Sequence, residues 1–132
     1  MSDILVNALW TPDGTRLQSY SRHDYKEHVD STNGKTYMVD GGLDYIRRSV
    51  NGDEVDASVF LDDEYMLVRE QVTWGTYGKN GDQPLRYVPV SEMSNDHIQA
   101  VLDTQTRIYP QLRKVLIMEL EYRIENMIEV RD

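Results

Sequence analysis

Turn-forming residues recur at short intervals in the first half of the chain, and they constrain the fold more than any other feature. Pro12-Asp13-Gly14 predicts a turn, because proline presets φ for the first turn position and Gly14 accepts a positive φ. Asn33-Gly34 is a typical signal of a β-hairpin loop. The flanking segments read as strands, over 4–10 and 16–20 around the first turn and over 22–29 and 35–39 around the second. We therefore expect a series of hairpins that form an antiparallel sheet.

The middle of the chain mixes short elements of both kinds. Asp40-Gly41-Gly42 is expected to end the preceding strand. A short helix is predicted over 43–50 and is stopped by Asn51-Gly52. Further on, the pattern predicts a strand over 55–61. A helix is predicted over 63–72 with Asp62 as its cap, and a strand is the alternative for this segment. A glycine-aromatic loop over 74–81 and an edge strand over 85–90 are expected to follow.

The last third of the chain has the spacing of two helices. Ser94 is a favourable N-cap, and Met93 and Ile98 occupy the positions of a hydrophobic staple. Pro110 fits only the first turn of the next helix. That helix is predicted to bury an i, i+4 stripe and to end near 127, its stripe being Leu112, Leu116, Leu120, Ile124 and Met127.

These elements predict one α+β domain over 1–132. Its first part, about 1–92, is mostly β with a short helix, and its second part, about 94–128, is a two-helix hairpin. The expected architecture is thus an antiparallel sheet of hairpins followed by a C-terminal αα-hairpin. The helical hairpin is expected to pack on the sheet or to project towards a partner.

Composition limits the class of protein. The chain has 132 residues, no cysteine and a formal net charge of -9, from 23 acidic and 14 basic residues. The lack of cysteine excludes disulfides, zinc-thiolate sites and cysteine nucleophiles. No apolar run approaches a membrane span, and the N-terminus has no signal-peptide pattern, so we expect a cytoplasmic protein without a membrane partner. The acidic balance argues against direct nucleic-acid binding. Ten of the basic residues are arginine, which leaves a local anion site possible.

Motifs for catalysis, metals and cofactors fail when their spacing is checked. The glycine-rich segment 75–81 lacks the first glycine and the final Ser or Thr of a phosphate loop. His23 and His28 are expected on opposite faces of one strand, and the acidic stretch 53–64 lacks the ligand spacing of a calcium loop. There is no Gly-x-Ser-x-Gly nucleophile motif. We therefore predict no metal, no cofactor and no enzymatic activity.

Two groups of residues are candidates for a ligand site. Aromatic rings and cations interleave in and after the glycine-aromatic loop, which is what a nucleotide base and its phosphate require. Adjacent arginines after a glycine turn offer several donors to one anion, with Asp40 and Asp44 placed to hold them or a ribose hydroxyl. The predicted ligand-binding residues are Arg47, Arg48, Trp74, Tyr77, Asn80 and Arg86, with Lys79 as a further cation.

An alternative site is acidic. The segment 53–64 has six acidic residues and no basic one, a pattern that fits either a solvated surface or a contact for a basic protein. The alternative partner-binding residues are Asp53, Glu54, Asp56, Asp62, Asp63 and Glu64, supported by carboxylates of the last helix, Glu119, Glu121, Glu125 and Glu129.

Three segments resemble sequences of small accessory proteins of large tailed bacteriophages. They are 37–45, 74–81 followed by 84–88, and Met93-Ser94-Asn95-Asp96-His97-Ile98, and the similarity covers the chain from Arg22 onwards. The layout of a sheet followed by two helices is also similar to that of anti-Thoeris nucleotide sponges. The resemblance implies a non-enzymatic anti-defence protein that binds a cyclic ADP-ribose-like or cyclic oligonucleotide signal. The alternative is an acidic inhibitor or DNA mimic that acts on a host protein.

The last helix also predicts self-association. It has apolar residues on more than one side, because Val115, Met118 and Tyr122 lie beside the main stripe. Pairing of two copies through this helix would bury them, and the ligand pocket is then expected to lie between subunits.

Overall fold

The computed structural model describes residues 4–20, 24–42 and 45–131, so His23 and Asp44 lie outside the described residues. The chain divides into two compact units, Met1–Asp63 and Glu64–Asp132. The single domain over 1–132 remains a prediction. The α+β class is confirmed, because the described strands are antiparallel and the helices of the C-terminal part follow them.

The first unit contains short antiparallel strands. Strand β1 pairs with β2, β6 and β7, and β4 pairs with β3 and β5. Their bounds are β1 Ile4–Trp10, β2 Arg16–Ser19, β3 Tyr25–Val29, β4 Thr36–Gly42, β5 Tyr45–Arg48, β6 Val55–Asp56 and β7 Val59–Phe60.

Both predicted hairpins are confirmed. Between β1 and β2, the N–H of Gly14 donates to the carbonyl of Thr11 at 3.0 Å, and Gly14 has a φ of 87°. Between β3 and β4, the N–H of Asp30 donates to the carbonyl of Lys35 at 2.9 Å, and Gly34 has a φ of 70°. The glycines are needed at these two positions because side chains rarely adopt positive φ.

The helix predicted over 43–50 is wrong, and so is the end of the strand at 40–42. Both glycines of 41–42 belong to β4, where Gly41 pairs with Ile46 and has a φ of 79°. The segment after them returns as β5 and pairs with β4. Hydrogen bonds across the ladder stabilise the extended backbone here, which local helical spacing does not reveal. The strand predicted over 55–61 is also interrupted, and forms β6 and β7.

A small apolar cluster forms the core of the first unit. Leu9 on β1 lies opposite Leu17 on β2, and both pack with Tyr37 and Val39 of β4. All four side chains are buried. Burial of such a side chain contributes about 1.5–3 kcal/mol, so this cluster joins the two groups of strands.

The second unit contains the helices and one hairpin. Strand β8 pairs antiparallel with β9 in a two-stranded sheet. A 3-10 turn over Val90–Glu92 connects β9 to α2. The elements are α1 Tyr65–Gln71, β8 Thr73–Thr76, β9 Arg86–Pro89, α2 Asn95–Thr104 and α3 Pro110–Asn126.

The predicted helix ends are mostly confirmed. The hydroxyl of Ser94 accepts the N–H of His97 at 3.0 Å, and Pro110 occupies the first turn of α3. Met127, with a φ of 57°, ends α3 in a left-handed conformation. The helix of 63–72 is present as α1, but its N-cap residue is Glu64 rather than Asp62. The loop expected from 74 begins later, because Trp74 belongs to β8.

The buried face of α3 differs from the predicted stripe. Its buried residues are Val115, Leu116, Glu119 and Arg123. Ile124 and Met127 are 77% and 93% exposed. Glu119 and Arg123 form a buried ion pair, so the face of the helix that carries them is turned to the interior. Part of the predicted apolar stripe is therefore exposed. Val115 is fully buried inside its own unit, so self-association cannot bury it as predicted.

Candidate functional site

A pocket of about 660 Å³ lies within the second unit. Four parts of the chain form it: the β8–β9 hairpin with its loop, the 3-10 turn, the start of α2, and the C-terminal segment after α3. Its lining residues are Thr76, Gly78, Lys79, Arg86, Val88, Glu92, Met93, Ser94, Asp96, His97, Ala100 and Arg131. The volume is in the range of small-molecule sites, about 300–1,000 Å³.

The hairpin brings one basic and two uncharged side chains to the pocket. Thr76 lies directly opposite Arg86, and Trp74 lies directly opposite Val88. Residues directly opposite each other in an antiparallel pair share a face of the sheet, and so do alternate residues along a strand. These four residues therefore share one face, and all of them except Trp74 line the pocket.

The loop of the hairpin is closed on itself and positions Lys79. The N–H of Gln83 donates to the carbonyl of Tyr77 at 2.8 Å, and the N–H of Gly81 donates to the carbonyl of Gly78 at 3.1 Å. Gly78 has a φ of 89°, and a Cβ at this position would lie 2.8 Å from Cγ of Gln83. Glycine is thus required here both by the backbone conformation and by the space.

The start of α2 forms the second wall. Met93 and Ser94 are buried before the first turn, and Ile98 is buried below it. This burial is the hydrophobic staple that the sequence predicts, and it fixes the angle at which the chain enters the helix. Asp96, His97 and Ala100 of the same helix line the pocket.

The C-terminal segment is attached to α2 by two hydrogen bonds. The N–H of Asn95 donates to the carbonyl of Val130 at 2.8 Å, and Oδ1 of Asn95 accepts the N–H of Val130 at 3.1 Å. The next residue, Arg131, lines the pocket and donates to both carboxylate oxygens of Glu129 at 3.1 Å. The tail thus supplies a third cation to the lining.

A buried ion network supports this wall. The Glu119 carboxylate accepts hydrogen bonds from Arg69, Tyr65 and Arg123 at 2.7–3.0 Å. Arg123 also donates to Oδ1 of Asn95 at 2.7 Å and to the carbonyl of Val90 at 3.1 Å. Glu119 and Arg123 are almost fully buried. The Glu119 carboxylate therefore joins α1 to α3, and the Arg123 guanidinium joins α3 to α2 and to the 3-10 turn.

The charge states in this network follow from its hydrogen bonds. Burial alone would raise the pKa of Glu119, but the hydrogen bonds from Arg69, Tyr65 and Arg123 outweigh it, so its pKa lies below the ordinary value of 4.5. Burial, followed by the hydrogen bond to Glu119, raises the pKa of Tyr65 far above the ordinary value of 10.0. Glu119 is therefore a carboxylate and Tyr65 a neutral donor at neutral pH.

The charges that line the pocket are of both signs. Lys79, Arg86 and Arg131 are cationic, and Glu92 and Asp96 are anionic. Within the described residues, neither Lys79 nor Arg86 has an ion-pair or hydrogen-bond partner for its side chain. Both basic side chains are exposed at the cavity, in a lining that also contains two carboxylates.

The predicted ligand residues are distributed over both units. Of those in the second unit, Arg86 lines the pocket, Trp74 shares its face of the hairpin, and Tyr77 and Asn80 belong to the loop without being part of the lining. Arg47 and Arg48 belong to the first unit. The assignment of these six residues to one ligand remains a prediction.

Arg47 and Arg48 are neighbours on β5 rather than on a helix, so their side chains point to opposite faces. Arg48 donates to the carbonyl of Ala8 at 2.9 Å, to the hydroxyl of Ser58 at 3.0 Å and to Asp56 at 3.1 Å. Its guanidinium thus ties β5 to β1. Nε of Arg47 lies 3.7 Å from the Asp40 carboxylate, which is a looser contact.

Several carboxylates of the acidic segment have partners in the first unit. Asp53 accepts the hydroxyl of Tyr37 at 2.5 Å, and Glu54 accepts the N–H of Gly52 at 2.7 Å. Asp56 accepts the N–H of Ser58 at 2.9 Å, and Asp63 accepts that of Phe60 at 2.8 Å. These acids stabilise turns and strand ends. Asp62 lies in the turn that follows β7. Glu64 is the N-cap residue of α1 and belongs to the second unit.

Sequence reasoning missed most of the pocket lining. Glu92, Asp96, His97 and Arg131 were not among the predicted ligand residues, although the cap at Ser94 correctly located the helix start beside them. Local patterns identify such a helix start, but they do not show which loop packs beside it. The approach of the C-terminal segment depends on the hydrogen bonds between Asn95 and Val130.

Comparison of the chain with protein-family models finds no match, and comparisons with curated proteins and with solved structures find none either. Within the described ranges, no group of three or more His, Asp or Glu side chains is arranged to hold a metal ion. None of the described helices is long and apolar enough to cross a membrane.

Proposed function

We propose that the protein binds a small phosphate-bearing ligand of the nucleotide type in the pocket of the second unit and sequesters it unchanged. The observation that carries this proposal is the position of Lys79 and Arg86. Both line a pocket of about 660 Å³, and both lack an acidic partner among the described residues.

The chemistry of these two side chains suits a phosphate. The planar guanidinium of Arg86 donates two parallel hydrogen bonds to phosphate oxygens, and the ammonium of Lys79 adds a mobile point charge. Arg131 supplies a third cation on the opposite wall. Because the rest of the chain is acidic, an anion gains most from this one region of the second unit.

Apolar groups in the same pocket suit a ring. Val88, Met93 and Ala100 line it without hydrogen-bonding side chains, and Trp74 lies on the same face of the hairpin. An aromatic or sugar ring next to a phosphate would contact both kinds of surface. Inorganic phosphate would use only the cations, so the mixed lining favours a nucleotide over a simple anion.

The biological role follows from the resemblance to small phage proteins and is part of this proposal. A protein that holds a cyclic ADP-ribose-like or cyclic oligonucleotide signal in the cytoplasm of an infected cell would suppress a defence response without catalysis.

Self-association through α3 belongs to the same proposal. Ile117, Ile124 and Met127 are 38%, 77% and 93% exposed, although they are apolar. Contact between two copies would cover them. The pocket is lined by residues of one chain.

The acidic inhibitor or DNA mimic is the second candidate and remains a prediction. It rests on the net charge of -9 and on the segment 53–64. Because Asp53, Glu54, Asp56 and Asp63 hold turns of their own unit, their substitution would also disturb the fold. Such variants are therefore less informative than variants of the pocket.

The proposal is tested by binding measurements on the full chain. Isothermal titration is performed with AMP, ADP-ribose, cyclic ADP-ribose and a cyclic dinucleotide. Arg86→Glu is expected to lower the affinity at least tenfold, a change of about 1.4 kcal/mol, because it replaces an attraction with a repulsion. The matched control is Arg107→Glu, an exposed residue of the same unit outside the pocket lining.

Three outcomes decide the matter. Loss of binding in Arg86→Glu with retention in Arg107→Glu supports the pocket as the site. No binding of any of these ligands by the wild-type chain contradicts the proposed function. Equal binding by both variants and the wild type places the ligand elsewhere and contradicts the site.

A further inference from the structure

We infer that the ligand of this pocket carries a ribose-type pair of hydroxyl groups beside its phosphate, and that Glu92 and Asp96 select it by accepting those hydroxyls. The inference rests on the proposed function, since it concerns the same pocket. It concerns the hydroxyl groups of the ligand, whereas the cations of the lining account only for its phosphate.

The observation is a pair of exposed carboxylates in the same pocket lining as the cations. Glu92 and Asp96 line the pocket together with Lys79, Arg86 and Arg131. In the described part of the chain, neither carboxylate forms a hydrogen bond or an ion pair. None of the three lining cations forms an ion pair with either carboxylate in the described part of the chain, and Arg131 pairs with Glu129 instead.

A structural role accounts for only part of this arrangement. Asp96 lies in the first turn of α2, where a negative charge is favoured by the helix dipole. That effect explains an acidic residue at this position of the helix. It does not explain a second carboxylate from the 3-10 turn, Glu92, on the same cavity.

The mixed charges discriminate between classes of ligand. An inorganic phosphate or pyrophosphate would meet three cations and also two uncompensated carboxylates, so part of the attraction would be lost. A ligand that offers hydroxyl donors next to its phosphate satisfies both sets of groups. Carboxylates that accept ribose hydroxyls are a general means of recognising nucleotides.

The test compares two ligands of equal charge. AMP and its 2′,3′-dideoxy analogue share base and phosphate and differ only in the two ribose hydroxyls. We expect the wild-type chain to bind AMP at least tenfold more tightly, a difference of about 1.4 kcal/mol, since hydrogen bonds to an ionised carboxylate are stronger than those between neutral groups. Isothermal titration at constant ionic strength measures both affinities.

Variants separate recognition from simple repulsion. Asp96→Asn and Glu92→Gln each remove a negative charge, so electrostatics alone would strengthen the binding of both ligands. If the carboxylates accept hydroxyls, at least one variant binds AMP more weakly and the dideoxy analogue as tightly as before or more tightly. The control is Asp103→Asn on the same helix, whose carboxylate is outside the lining and accepts the Gln99 amide.

Each result has a definite meaning. A preference for AMP that disappears in Asp96→Asn or Glu92→Gln, but not in Asp103→Asn, supports the inference. Equal affinity of the wild-type chain for both ligands overturns it and leaves the proposed function intact. If the wild-type chain binds neither ligand but binds pyrophosphate, the inference also fails. If it binds no phosphate compound, the proposed function fails first.

Discussion

The carboxylate of Glu119 receives a two-point hydrogen bond from the guanidinium of Arg69, at 3.0 and 2.8 Å, although the two residues are 50 positions apart in the chain. The same carboxylate accepts Nε of Arg123 at 2.7 Å. One buried anion thus compensates two guanidinium groups. Removal of this anion would leave both cations inside the second unit without their common partner.

Glu119→Gln is expected to destabilise the protein strongly. Breaking a buried ion pair by removing one partner costs about 3–5 kcal/mol, because the remaining charge is desolvated and unpaired. Urea denaturation followed by circular dichroism measures the change in the free energy of unfolding. The control is Glu121→Gln, an exposed position of the same helix. A loss below about 1 kcal/mol would contradict the structural role of the network.

The network also sets a pH dependence. The pKa of Glu119 is lowered by folding, so its contribution to stability is fully present above the unfolded pKa of about 4.3 and is lost as the pH falls through the folded value. The difference in stability between wild type and Glu119→Gln is therefore expected to be constant near neutral pH and to shrink in acid. A constant difference down to about pH 3 would contradict this.

Asp13 gives the first unit a separate acid sensitivity. The N–H of Ser31, the hydroxyl of Thr11 and the imidazole of His28 hold the pKa of Asp13 well below its ordinary value of 3.8. Since the folded pKa is depressed, the contribution of Asp13 is complete above about pH 4 and is lost as the pH falls further. Asp13→Asn is expected to lower the melting temperature at pH 7 and to have less effect below pH 4.

Differential scanning calorimetry of the full chain checks this expectation. Glu27→Gln is the control, because its carboxylate accepts only the exposed hydroxyl of Tyr25 at 2.7 Å. If Asp13→Asn and Glu27→Gln have the same melting temperature at pH 7, the bonds between the Asp13 turn and the loop after β3 are not stabilising.

The sequence predicts those parts of the fold whose causes are local. Gly14 and Gly34 identify the two hairpins, and Ser94 and Pro110 identify the starts of α2 and α3, because turn geometry and helix capping depend on a few neighbouring residues. β5 is different. Its extended form depends on pairing with β4, so the helical spacing of Leu43 and Ile46 is misleading.

Charged residues explain the other errors. The rule that a helix buries its apolar face places Leu112, Leu120 and Ile124 inside, but α3 buries Glu119 and Arg123 because both have partners on other elements. Contacts that are distant in the sequence also limit what can be predicted of the candidate site. Arg86 is predicted from the nearby aromatic rings, whereas Arg131 is brought in by backbone pairing of the last residues with Asn95.

Asn95 is expected to position Arg131 for ligand binding. Asn95→Ala removes the Oδ1 atom that accepts both the Val130 N–H and the Arg123 guanidinium, so the C-terminal segment loosens and Arg131 leaves the pocket lining more often. We expect a several-fold loss of AMP affinity, about 0.5–1 kcal/mol, similar to the loss caused by deletion of the residues after Val130. Asn95→Asp retains an acceptor and serves as the control.

Hydrogen exchange separates this role from a general loss of structure. Asn95→Ala is expected to increase the exchange rate of the Val130 amide while amides in the middle of α3 remain protected. The deletion leaves the Val130 amide protected and still weakens binding. Unchanged affinity in the deletion variant would show that Arg131 does not contribute to the site.

Ile124 is expected to control self-association. Its side chain is 77% exposed on α3, and that of Met127, about one turn further on, is 93% exposed. Contact with a second copy would remove both apolar side chains from water. Ile124→Glu places a charge in that contact and should shift the protein towards the 15.4 kDa monomer in light scattering after gel filtration. Because the side chain contributes little to its own unit, the melting temperature of the monomer should change by only a few degrees.

Ile98→Glu is the opposite case, since Ile98 is fully buried and its substitution should unfold the unit rather than dissociate it. A wild-type chain that is monomeric at all concentrations would contradict association through α3 and would leave ligand binding to a single copy.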